Sequence, residues 1–109
     1  MENTDYNKNL NKKLTIKLRR LLDELPEFCD TYFRGISDQT QIRTRVAYAF
    51  DLRIFFYYLL NYSGKFTNYS SIRDFVMSDL DKITAIDIEK YTEFLNYYTL
   101  PNYKDPSIM

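Results

Sequence analysis

Three observations predict an all-α fold, a bundle of four to five helices. Apolar residues recur at steps of three and four along five successive segments, and no segment reads convincingly as a half-buried strand. Gly is 2 and Pro is 3, too few turn-formers for a fold of many hairpins. The 109 residues, 45% of them apolar, suffice for one core and do not match a disordered composition. Tyr is 11 and Phe is 8, so that core is expected to be aromatic, with many tyrosines at its edge and their hydroxyls in water.

Residues 1–7 (MENTDYN) are polar and expected to be loose. A first, basic helix covers 8–24: Leu10, Leu14, Leu18, Leu21, Leu22 and Leu25 share its apolar side, and Lys12, Lys13, Lys17, Arg19 and Arg20 take the other faces. Pro26 suits the first turn of a second helix, 27–36, because its missing N–H costs nothing there. Phe28, Tyr32 and Phe33 fall on one side of it with Cys29 beside them, and Gly35 is the expected C-cap. Ser37 and Asp38 are capping types, and either Asp38 or Thr40 starts the third helix.

That third helix is the central one. Ile42, Val46, Ala49, Phe50, Phe56, Tyr57 and Leu60 share a broad face, which Tyr48, Leu52, Phe55 and Leu59 widen. Only Arg43, Thr44, Ala47, Asp51, Tyr58 and Asn61 form a polar-leaning strip, so the helix should be packed on several sides. Arg53 lies in the apolar arc and reads as one half of an ion pair with an acid on a neighbouring helix. Residues 61–71 (NYSGKFTNYSS) form a loop. A short helix capped by Ser70 or Ser71 follows, with Ile72, Phe75, Val76 and Leu80 at helical spacing, and 79–83 breaks it. Thr84 to Asp87 (TAID) reads as a capping box with Asp in the usual Glu position. The last helix runs over 85–98, with Ile88, Tyr91, Phe94, Leu95 and Tyr98 inward.

Formal net charge is zero but unevenly spread. Residues 1–22 carry a net of +4 and residues 74–109 a net of −4. Such a dipolar chain can meet a polyanion with its basic side, or simply carry solvated faces of opposite sign. There is no histidine, which removes His-assisted nucleophiles and Cys/His zinc sites. Two glycines cannot build a phosphate loop. The pairs Asp79/Asp81 and Asp87/Glu89 read as solvated charge rather than cation ligands. Cys29, the single cysteine, reads as a core residue; a lone thiol fits a reducing compartment, and a cytoplasmic location is expected. The longest apolar run, 54–60, is far short of the ~18 residues that span a bilayer, so no membrane is expected. No catalytic residue, metal or other cofactor is expected. The chain reads as a binding or structural module.

"RTRVAYAFDLRIFF" (43–56) carries a resemblance. Thr44, Tyr48, Asp51, Leu52 and Phe55 are similar to the second helix of the N-terminal core-binding domain of tyrosine recombinases, the phage-integrase family. "LPEFCDTYF" (25–33) resembles that domain's first helix, and "ITAIDIEKYTEFL" (83–95) its last. The three stand in the family's order and cover about 24–98. The resemblance implies a SAM-like orthogonal bundle that binds double-stranded DNA at a crossover site for integration or recombination. Its partners would be the catalytic domain of the same parent chain and other recombinase protomers on the DNA. The tyrosine nucleophile of such enzymes belongs to that catalytic domain, so none of the tyrosines here is assigned the role and this chain is not itself an enzyme.

The division that follows is a basic helical extension (1–23), a core-binding domain (24–98) and a tail or linker start (99–109). The extension is one that simple members of the family lack; it is a DNA-touching arm, a contact to a neighbouring recombinase, or a connector. Candidate DNA-binding residues are Thr40, Gln41, Arg43, Thr44 and Arg45 at the start of the third helix, where hydroxyl, amide and guanidinium donors cluster beside free backbone N–H groups. Arg43 or Arg45 could read guanine. Either Thr40 or Thr44 occupies the family's cap position. Tyr48, one turn farther in, touches a phosphate or packs. Lys82, Thr84 and Lys90 are the candidates at the last helix. A reading from another class stands beside this one: a non-catalytic helical protein-interaction module using the basic helix and exposed aromatics.

Overall fold

The computed structural model describes residues 2–102 and, within them, the side chains of residues 8–97. The fold is all-α: α1 (Glu2–Glu24), α2 (Glu27–Gly35), α3 (Ile42–Asn61), two 3₁₀ turns (Ile72–Asp74 and Met77–Lys82) and α4 (Ala85–Asn102), with no strand among the described residues. No helix among them is long and apolar enough to cross a membrane.

α1 starts at Glu2, so most of the segment expected to be loose is helical. Residues 2–9 hold no glycine or proline, and nothing there interrupts a helix once Leu14, Leu18, Leu21 and Leu25 have docked it. Leu25 and Pro26 stop it, since proline disfavours a helical residue before it. The last turn of α1 has no cation of its own. Arg73, from the first 3₁₀ turn, supplies one: its Nη1 donates to the carbonyls of Leu22, Asp23 and Leu25 at 3.3, 2.8 and 3.2 Å. A guanidinium at a helix C-terminus satisfies carbonyls that the helix leaves open and complements its dipole.

α1 and α3 run side by side in the same direction. Leu10 and Asn11 lie beside Gln41, Ile42 and Arg43. Lys17 Nζ stands 5.0 Å from the Phe50 ring centroid, and Glu24 pairs with Arg53 at 2.9 Å. The ion pair expected of Arg53 is therefore present, with α1 as its partner. α2 is the short return between the two. Pro26 stands at its N-cap, one residue before the first turn, and Gly35 is its last helical residue rather than a left-handed cap. Only Gly64, in the loop after α3, has a positive φ (76°) among the described residues, the conformation glycine takes most easily.

Three differences from expectation surround α3. Its N-cap is Gln41, not Asp38 or Thr40. Residues 36–39 form turns instead, and the Thr40 hydroxyl bends back to donate to Ile36 O at 2.6 Å. Tyr58, in the polar-leaning strip, is only 5% exposed. α4 crosses over it, placing Phe94 and Tyr91 at ring distances of 5.1 and 5.4 Å. Tyr48, counted as a flank of the apolar face, is instead exposed.

The core is aromatic, as expected. Phe56 lies at its centre, 6.1 Å from Phe28 and 5.2 Å from Phe75, with Phe66 4.7 Å beyond Phe75. Cys29 is buried in the same cluster, and burial pushes its thiol up to about 11. The short helix expected after Ser71 is two 3₁₀ turns, and of the expected break at 79–83 residues 79–82 belong to the second turn and Ile83 is the extended residue that ends it. Phe75 and Val76 adopt extended backbone between the turns, which lets Phe75 reach inward.

The capping box at Thr84 is formed: Thr84 N–H donates to Asp87 Oδ2 at 2.8 Å, and Asp87 N–H returns to Thr84 Oγ1 at 3.3 Å. α4 extends past Tyr98 to Asn102, because nothing before Pro101 stops it. The first residues of the expected tail are thus helical; 103–109 lie outside the described residues. Ile88, expected inward, is exposed.

Candidate nucleic-acid interface

The candidate residues fall into two groups at opposite ends of α3. Thr40, Gln41, Arg43, Thr44 and Arg45 are at its start, with Tyr48 one turn on. Lys82, Thr84 and Lys90 are near its end, because Lys65, just beyond α3, bonds both Lys82 O (2.8 Å) and Asp87. Twenty residues at 1.5 Å each make α3 about 30 Å long. The fold therefore does not bring the two groups together at one basic end.

Within the first group, Arg45 and Thr40 bond each other. Arg45 Nη1 donates to Ser37 O at 2.9 Å, to Thr40 O and to Thr40 Oγ1 at 3.0 Å. One guanidinium edge thus closes the α2–α3 turn. Arg43 is different: it is exposed and has no hydrogen-bond or ion-pair partner among the described residues. Gln41 is exposed beside it, Thr44 is half-buried, and no side chain caps the first turn of α3.

The second group is tied into the fold. Lys82 donates to Asp79 Oδ1 at 3.2 Å and stands 5.9 Å from the Phe66 ring centroid. Thr84 is the α4 cap, and Lys90 alone is an exposed cation without a partner among the described residues. Of the neighbouring acids, Asp81 and Glu89 are exposed, in line with the expected solvated charge, but Asp79 and Asp87 are buried and bonded. Asp79, 1% exposed, accepts from Val76 N–H at 2.9 Å and from the Tyr69 hydroxyl at 2.7 Å. Burial pushes its carboxyl up, but those bonds and Lys82 outweigh burial and hold it below the usual range. Asp87 is held down to about 2, chiefly by Lys65 and by Thr84 N–H, against its desolvation.

Exposed cations outside the candidate set lie on α1, in the basic helix already read from the sequence. Lys13, Lys17, Arg20 and Glu24 follow at steps of four, three and four, so they share one edge of the helix. Lys17 over Phe50 and Glu24 paired with Arg53 identify that edge as the one bordering α3. Lys13, Lys17 and Arg20 are exposed and have no ion-pair partner among the described residues. With Arg43 they form a cationic seam along the α1–α3 boundary. The periodicity of the seam is visible in the sequence; the helix it borders is not. No protein-family model, curated protein or solved structure matches the chain.

Proposed function

We propose that the chain is the duplex-DNA-binding helical domain of a tyrosine recombinase, SAM-like in its helix arrangement, which holds the crossover site for integration and does not itself cut it. One observation carries the reading: four exposed cations with no ion-pair partner among the described residues, Lys13, Lys17, Arg20 and Arg43, line one boundary, while the buried acids Asp79 and Asp87 are neutralised from within at the other end of α3. A row of exposed Lys and Arg neutralises phosphates and releases counterions, the main source of affinity for duplex DNA. The uncapped first turn of α3 adds backbone N–H groups suited to a phosphate. Arg43, with no competing partner, is the residue placed to read a guanine edge. Arg45 and Thr40 act through the turn they close, by fixing where Arg43 stands. In this reading a catalytic domain of the same parent chain and neighbouring protomers complete the grip.

The test is a titration of a labelled duplex with the chain at about 50 to 200 mM salt, where phosphate contacts dominate the slope. The wild type should weaken steeply with salt. In Lys13→Ala/Arg20→Ala/Arg43→Ala the log–log slope should fall by roughly 0.9 for each cation removed. A wild-type slope near zero, or an unchanged slope in the triple variant, refutes the reading.

A further inference from the structure

A cleft of about 780 Å³ opens between α2, α3 and the second 3₁₀ turn, on residues that the cationic seam does not use. Built binding sites have volumes of roughly 300–1,000 Å³. Phe28 and Phe55, half-buried, line its depth. Tyr32, Tyr48 and Met77 also line it and are 49%, 42% and 65% exposed. A single charge stands among these groups, Asp51. It is exposed and has no ion-pair partner among the described residues.

We infer that this cleft docks an amphipathic helix of a partner protein, one that sets a lysine or arginine among apolar side chains. The charge selects the occupant: an unneutralised carboxylate ringed by aromatic faces favours a cation on an apolar stem. It also disfavours DNA, since Asp51 would face phosphates. The exposed rim decides between a helix and a small molecule. A small ligand in the depth of the cleft leaves Tyr32, Tyr48 and Met77 in water, whereas a helix laid across it covers depth and rim together. Tyrosine and methionine are the side chains that such surfaces use, one rigid and amphipathic, the other adaptable. Because α1 contributes nothing to this cleft, duplex and partner helix can be bound at once.

The test is a selection of helical peptides from a random library against the whole chain, followed by titration of the selected peptides. Asp51→Lys and Met77→Lys serve as controls; both positions are exposed, and unchanged thermal unfolding confirms that the variants fold. The selected peptides should combine apolar residues at helical spacing with a lysine or arginine. Their affinity should fall about tenfold or more in either variant. Replacing the peptide's basic residue with glutamate should weaken binding to the wild type and restore it to Asp51→Lys. Saturating duplex should leave peptide binding unchanged. Recovery of no peptide, recovery of acidic peptides, indifference to both substitutions, or competition by duplex each overturns the inference. Benzyltrimethylammonium binding as tightly as the peptides makes the site one for a small organic cation, and overturns it too.

Discussion

At the start of α3 and along α1, Lys13, Arg20 and Arg43 face solvent with no ion-pair partner among the described residues; beyond the end of α3, Lys65, Arg73, Asp74, Asp79, Lys82 and Asp87 each close a piece of structure. Lys65 joins the loop after α3 to Asp87, Lys82 covers Asp79, and Arg73 caps α1 from fifty residues away. Asp74 holds the first 3₁₀ turn by accepting from the N–H groups of Ser70 and Ser71 at 2.8 and 2.9 Å. Both regions are rich in charge, and both use some of it for folding, the first through Arg45 and the Glu24–Arg53 pair; the first also leaves a row of cations outside that structure. An exposed cation adds almost nothing to stability even when paired. The cations of the first region are therefore free to serve a partner, and the comparison predicts that folding and binding can be damaged separately.

Substitutions grade that comparison. Phe56→Ala removes the ring on which both regions rest and should cost about 3–5 kcal/mol, unfolding them in one transition. Separate urea transitions for the two regions would show that they do not share a core. Asp79→Ala leaves Val76 N–H and the Tyr69 hydroxyl without their acceptor and should cost about 1–3 kcal/mol, with duplex binding retained. Asp87→Asn should show as a change of pH dependence. The native carboxyl titrates at about 2 and its ordinary value is 3.8. Its stabilisation is full above about pH 4 and is lost as pH falls toward 2. Thermal unfolding of wild type and variant should therefore differ near neutrality and converge at the acid end; a constant gap contradicts the assignment. The smallest effect on stability belongs to Lys13→Ala/Arg20→Ala/Arg43→Ala, within about 0.5 kcal/mol of wild type, although this variant should lose most of its duplex binding.

Helix period and caps made much of the fold legible in the sequence. The leucines of α1, the broad apolar face of α3 and the Thr84–Asp87 box each fix an element through local chemistry. What sequence could not supply was neighbourhood. Tyr58 reads as polar until α4 crosses it. Asp79 and Asp87 read as surface charge until Tyr69, Lys65 and two backbone N–H groups surround them. Arg45 reads as a free donor until the α2–α3 turn folds around it, so of the arginines proposed at the entrance only Arg43 stands clear. The seam on α1 has the same lesson: the spacing of Lys13, Lys17 and Arg20 is local, but its value depends on the parallel packing against α3.

The most direct test is to map backbone amide shifts of the whole chain on adding a duplex at low salt. The changes should form one contiguous track over residues 13–20 of α1 and 41–45 of α3, with the 65–87 network silent. Shifts centred on that network or on α4, with the seam unmoved, would contradict the division of labour between the two regions.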